Sequence, residues 1–121
     1  MHIPHKTSWL RKFACAFRGI AVGIRAQNSF YVHIPVTAGA IAAAWWLDVS
    51  RIELCLLVLC IGAVVASEMF NTAIEDLAKA ITREENPHLR DALDAASGAV
   101  LIGALTAAGV GALVLMSHFW S

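Results

Sequence analysis

Charge is what this sequence has least of. Asp, Glu, Lys and Arg make up 15% of its 121 residues, against 59% hydrophobic residues. A soluble domain carries about 25% charged residues, so an ordinary solvated domain is excluded and a membrane setting is expected. The three cysteines, Cys15, Cys55 and Cys60, form neither a CxxC pair nor an even set. That excludes a disulfide framework and a zinc site of the usual spacing. Cys55 and Cys60 lie in an apolar run, where cysteine behaves as a small hydrophobe. No GxxxxGK[ST] loop, no GxGxxG loop and no protein-kinase signature is present, which removes the glycine-rich phosphate-binding folds. No serine–histidine–acid or cysteine–histidine arrangement stands out. No basic–aromatic pattern points to nucleic acid as a partner. Arg18 interrupts any signal-type apolar run, so no cleavable leader is expected. Formal net charge is zero, and the information lies in where the few charges sit.

The most informative charges are in Glu68-Met69-Phe70-Asn71-Thr72-Ala73-Ile74-Glu75, at the end of the apolar run Leu54–Ser67. At about 100° per residue, Glu68, Asn71 and Glu75 share a helical face about 60° wide. A charge near hydrocarbon costs roughly 2.5–3.5 kcal/mol on insertion scales, so acids at this position imply a function.

Around this cluster the chain reads as all helix. Thr7 or Ser8 can cap a first helix running to about Gln27. Trp9, Phe13, Phe17, Ile20 and Ile24 share one side, and Arg11, Arg18 and Arg25 recur every seven residues on the other. That pattern predicts a basic interfacial helix, either a plain anchor or one whose cations also meet phosphate. Phe30 to Leu47 is apolar except for His33, with Pro35 fitting the first turn and Trp45 and Trp46 at the far interface. His33 reads as an interfacial polar residue. A second apolar helix starts near Ile52 and continues to about Ile81. Asn86-Pro87 reads as a cap and first residue of a third, which runs to about His118. Its Ala95–Ser117 stretch has no charge over 23 residues. The expected domains are residues 1–28, an N-terminal interfacial segment, and residues 29–121, with spans at about 30–47, 52–75 and 95–117.

Eight of the nine Lys and Arg residues, all but Arg51, precede the first span or lie between the second and third. The positive-inside rule then places the N-terminus in the cytoplasm and Glu68–Glu75 and Asp94 at the cytoplasmic edge. Gly103, Ala107 and Gly111, at four-residue intervals, allow close backbone approach. Three spans make a thin bundle, so a homo-oligomer is expected.

Chemically, carboxylates with an amide oxygen suit Mg²⁺, which often completes its shell with substrate phosphates. A carboxylate at an apolar boundary suits a general base for a hydroxyl. These favour phosphoryl transfer to an amphiphile. A proton or ion relay would use similar residues.

The stretch Glu68-x-x-Asn71-Thr72-Ala73-Ile74-Glu75, followed by Asp94-x-x-Ser97-Gly98-Ala99-Val100-Leu101, resembles the small bacterial membrane lipid kinases, diacylglycerol kinase and undecaprenol kinase. The resemblance extends through Ala14-x-x-Phe17-Arg18-Gly19-Ile20, Trp46-Leu47-Asp48-Val49 and Ser117-His118-Phe119, covering roughly Phe13 to Phe119. It implies a surface helix plus three transmembrane helices, assembled as a homotrimer in the bacterial inner membrane. It also implies transfer from ATP, with Mg²⁺, to a lipid hydroxyl: diacylglycerol giving phosphatidic acid, or alternatively undecaprenol.

Residue by residue, the resemblance makes Glu68 the base or orienting group for the lipid hydroxyl. Asn71 and Asp94 become members of the catalytic site, and Glu75 a metal ligand for the bound nucleotide. Arg11 and Arg18 would meet ATP phosphates, and Ser97 would lie on the lipid side. The chain departs from the family pattern at three positions. Gln27 stands where a second metal-ligand glutamate is usual. Leu93 stands where a lysine precedes the aspartate, and Lys79 where aspartate is common. Gln27 still offers a metal an oxygen, and Arg90, one turn before Asp94, offers the nucleotide a replacement cation. A catalytically degenerate homologue is the second alternative that these departures raise.

Overall fold

The computed structural model describes residues 8–26 and 30–119. It contains four helices: α1 (Trp9–Ala26), α2 (Phe30–Trp46), α3 (Arg51–Ile81) and α4 (Pro87–Ser117). No strand occurs among the described residues. Gln27, which the family resemblance makes a metal ligand, lies outside them.

The helix boundaries follow from local chemistry. Ser8, one of two candidate caps, accepts the Arg11 amide at 3.2 Å. Ser50 and Glu53 form a reciprocal capping box at the start of α3: the Glu53 amide donates to Ser50 Oγ, and the Ser50 amide donates to Glu53 Oε1. Asn86 Oδ1 accepts from the amides of His88 and Leu89, and Pro87 occupies the first position of α4, where its missing N–H costs nothing. Pro35 differs from the sequence expectation. It sits inside α2 rather than in the first turn, because the helix begins five residues earlier at Phe30. There it deprives the carbonyl four residues back of its helical donor.

The α2–α3 turn is a Schellman closure. The Asp48 amide donates to Trp45 O and the Val49 amide to Ala44 O, as that motif requires. Asp48 takes a left-handed φ of 53°, a conformation that aspartate tolerates better than most non-glycine residues. The accompanying apolar contact is also present: Val49 packs on the buried cluster Ala44, Leu57 and Val114, which joins α2, α3 and α4. The Trp46-Leu47-Asp48-Val49 motif therefore has a structural role that can be read atom by atom.

Helices α3 and α4 form a long antiparallel hairpin, and α1 and α2 lean on it more lightly. Each hairpin helix has 31 residues, about 46 Å, against a hydrocarbon thickness of about 30 Å. Part of the hairpin therefore projects beyond the apolar layer. Both are long and apolar enough to cross a membrane. α2 has 17 residues, about 26 Å, at the lower limit for a span.

Buried side chains are few, and large apolar ones such as Phe70, Leu105, Leu113, Trp45 and Trp46 are exposed. In water such a surface would drive association; in lipid it is the stable arrangement. Hydroxyls are satisfied within their own helices: Ser67 Oγ donates to Val64 O, and Thr72 Oγ1 to Glu68 O. Gly103 faces α3 closely, since a Cβ there would lie 3.3 Å from Ser67 Oγ. Ala107 and Gly111 instead line an apolar groove of about 380 Å³ between α2, α3 and α4.

Candidate functional site

The cluster on α3 is built from its backbone upward. Residues three and four apart on a helix are neighbours, and Asn71 Nδ2 donates to Glu75 Oε1 at 2.6 Å. Glu68, one turn earlier, is buried, its side chain 6% exposed. His33 Nε2, on α2, lies 2.6 Å from Glu68 Oε1. The other oxygen, Glu68 Oε2, is buried with no hydrogen-bond partner among the described residues, and so is Asn71 Oδ1. Two unsatisfied buried oxygens on adjacent turns are costly in a structural role, at roughly 1–3 kcal/mol each. Such groups call for an explanation other than packing, and a binding role supplies one.

Toward the loop that joins them, α3 and α4 open into a groove of about 740 Å³. Glu75 lines its inner part. Lys79 and Arg83 follow on the α3 side, and Arg90, Leu93 and Asp94 lie on the α4 side. Arg90 Nη2 donates to Glu85 Oε1 at 3.1 Å, an exposed pair whose two ends are easily exchanged for other partners. The structure thus gathers Glu75, Asp94 and Arg90 around one cavity, with Glu68 and Asn71 on the turns just inside it.

The remaining sequence candidates lie apart. Arg11 and Arg18 are on the exposed part of α1 and line neither groove. α1 meets α3 near its C-terminal end, where a Cβ on Gly23 would approach Met69 Cγ to 3.2 Å. Ser97 is exposed on α4, one turn beyond Asp94, and lines neither groove.

Two features escape a one-dimensional reading. Lys79 and Arg83 share the groove with Glu75, so Leu93 does not leave it short of cations. His33 is not a bystander at the interface but the partner of Glu68. The signal for that pair was a depth count. Counted from the α2–α3 turn, His33 lies about 20 Å along α2 and Glu68 about 26 Å along the antiparallel α3, which puts them within about one helical turn of each other in level.

The donor set is one of hard oxygens. Among the described residues no group of three or more His, Cys, Asp or Glu side chains forms a metal cage. Mg²⁺ does not need one, since it is commonly held by one or two carboxylates plus phosphates and water. Glu75 and the unsatisfied Asn71 Oδ1 fit that pattern. Cations around a groove at the water end suit a polyphosphate. A buried carboxylate beside an apolar groove suits a hydroxyl attached to a hydrocarbon chain.

The sequence matches the family described as prokaryotic diacylglycerol kinase over residues 14–115. It is 31% identical over 115 residues to an undecaprenol kinase of Bacillus subtilis, covering 95% of this chain and 94% of that protein. It is 30% identical over 114 residues to a diacylglycerol kinase of Escherichia coli, covering 94% of this chain and 81% of that protein. A diacylglycerol kinase of Synechocystis is 31% identical over 108 residues, covering 88% of this chain and 62% of that protein.

Proposed function

The chain belongs to the prokaryotic diacylglycerol kinase family and is a membrane-bound lipid kinase, and from that premise we propose that it moves the γ-phosphoryl group of ATP to the hydroxyl of diacylglycerol. The observation that carries this reading is the polarity of the site along α3. A buried carboxylate with one unpartnered oxygen, Glu68, lies at the apolar end. Glu75, Arg90 and Asp94 surround the groove at the water end. An amphiphilic acceptor and a polyphosphate donor would approach from opposite directions and meet between them.

In the proposed reaction, Glu68 Oε2 takes the proton of the acceptor hydroxyl. The hydroxyl oxygen forms a bond to the γ-phosphorus. The bond from that phosphorus to the β,γ-bridging oxygen breaks, and its electron pair leaves with ADP. Little covalent work falls to the protein, so positioning and electrostatics dominate. Glu75 and Asn71 Oδ1 would hold Mg²⁺, with Gln27 as a further oxygen donor; bound Mg²⁺ supplies neutralisation of phosphate charge. Arg90, joined from α1 by Arg11 and Arg18, would bind the nucleotide phosphates, Arg90 by leaving its exposed partner Glu85. Asp94 orders the α4 side of the groove, and Ser97 would face the lipid.

We further propose that α1 lies on the cytoplasmic surface of the bacterial inner membrane, that α2 spans it together with α3 and α4, and that three chains assemble. The extensive exposed apolar faces of α2, α3 and α4 support assembly, and the cation distribution supports the orientation. Undecaprenol is the second acceptor, favoured by the identity with the Bacillus subtilis enzyme.

The test is purified protein in lipid nanodiscs with labelled ATP, Mg²⁺ and a panel of acceptors. Labelled phosphatidic acid is expected. Label on undecaprenol alone would move the acceptor to the second reading. No labelled lipid above a Glu68→Gln control would overturn the kinase reading in favour of a catalytically degenerate homologue.

A further inference from the structure

We infer that His33 is a positioning residue for the base, holding Glu68 Oε1 so that Oε2 faces the acceptor hydroxyl. This rests on the lipid kinase reading of the same site and extends it to a residue on a different helix.

Three observations converge. His33 Nε2 is 2.6 Å from Glu68 Oε1, in direct hydrogen-bonding contact. The Glu68 side chain is 6% exposed, so water does not compete for that oxygen. Glu68 Oε2 is buried and has no hydrogen-bond partner among the described residues. With the carboxylate ionised, Nε2–H must be the donor. The histidine therefore differentiates two otherwise equivalent oxygens: one is engaged, and the other keeps its lone pairs.

The arrangement also fixes orientation. A glutamate on one helix has several rotatable bonds, and an ordered carboxylate needs a second anchor. Thr72 cannot be that anchor, because its hydroxyl donates to the Glu68 backbone carbonyl rather than to the carboxylate. Nor can Asn71, whose Nδ2 is committed to Glu75. The anchor comes from α2, and His33 also lines the apolar groove that leads up to the site. It is therefore placed where a lipid chain would bring its hydroxyl. During transfer the acceptor proton passes from the hydroxyl to Oε2, and His33 keeps its own proton throughout.

The experiment compares wild type, His33→Leu, His33→Gln and Glu68→Gln in nanodiscs. It measures kcat and KM for both ATP and lipid, together with the melting temperature. In His33→Leu the base loses its anchor. A fall in kcat of about 100-fold is expected, the size of effect that a 1 Å misplacement produces. The KM for ATP is expected to change by less than about twofold, because the nucleotide groove does not include His33. In His33→Gln the side-chain amide can still donate, and kcat should recover to within about tenfold of wild type.

A merely structural histidine would behave differently, with loss of melting temperature in both variants, KM rising with falling kcat, and no rescue by glutamine; that pattern overturns the inference. Unchanged kcat in His33→Leu, with an active wild type, overturns it alone. A wild type that labels no lipid removes the kinase reading and the inference together.

Discussion

Helix α3 carries two glutamates paired with histidine, and they are built differently. At its outer end, Glu53 caps the helix by accepting from the Ser50 amide, and both its oxygens lie 3.1 Å from His118 Nε2. Every oxygen has a partner, and a quarter of each side chain in the pair remains exposed. At the inner end, Glu68 is almost sealed, His33 holds one oxygen, and the other has no partner among the described residues. The first pair closes a structure, joining the start of α3 to the end of α4. The second leaves an acceptor unsatisfied in a place where that is expensive. Similar residue types therefore serve stability at one end and chemistry at the other, and saturation of the carboxylate tells them apart.

The comparison breaks most sharply at Glu68. Glu68→Gln keeps the size and a hydrogen-bonding group for His33 but removes the base. It should lower lipid-dependent ATP turnover by roughly 10²–10⁴-fold while assembly, followed by native mass spectrometry, is unchanged. Full turnover in that variant would remove the mechanism. The His33→Leu effect described above is the next largest.

In the groove, Arg90→Ala should lower kcat/KM for ATP by about tenfold, the value of one lost charge-assisted contact of about 1.4 kcal/mol. Arg83→Ala should cost much less. Equal, mild effects in the two would show that no single cation compensates for Leu93.

At the outer end, Glu53→Ala should lower the melting temperature and leave kcat untouched. A kcat loss without a stability loss would abolish the contrast between the pairs. The smallest expected effect is at the neighbouring turn. Asp48→Gly relieves a left-handed φ and should be stabilising by about 0.5–1 kcal/mol in detergent unfolding assays.

Particular residues show how far local rules reach. Ser8, Asn86 and Pro87 are legible as helix starts because capping depends on a few consecutive residues, whereas the Ser50–Glu53 box is seen only in the structure. The common face of Glu68, Asn71 and Glu75 followed from helical periodicity, and the Asn71–Glu75 hydrogen bond realises it. Pro35 fits a first turn by its own chemistry, but the apolar run begins at Phe30 and the helix follows the run, leaving Pro35 inside it. Arg90 was read as a nucleotide cation, and its resting partner Glu85 depends on how the loop after Thr82 closes.

What the sequence determined by itself was the all-helical class, the membrane setting, the kinase family and the acidic face of α3. These depend on composition, on motifs and on a repeat of 3.6 residues, all of which are local properties of the chain. Only the tertiary structure decided which α2 residue meets Glu68, which carboxylate oxygen is left over, and which cations share a groove with Glu75. Those depend on how helices far apart in sequence are set at depth against one another, and side-chain packing between helices selects that register.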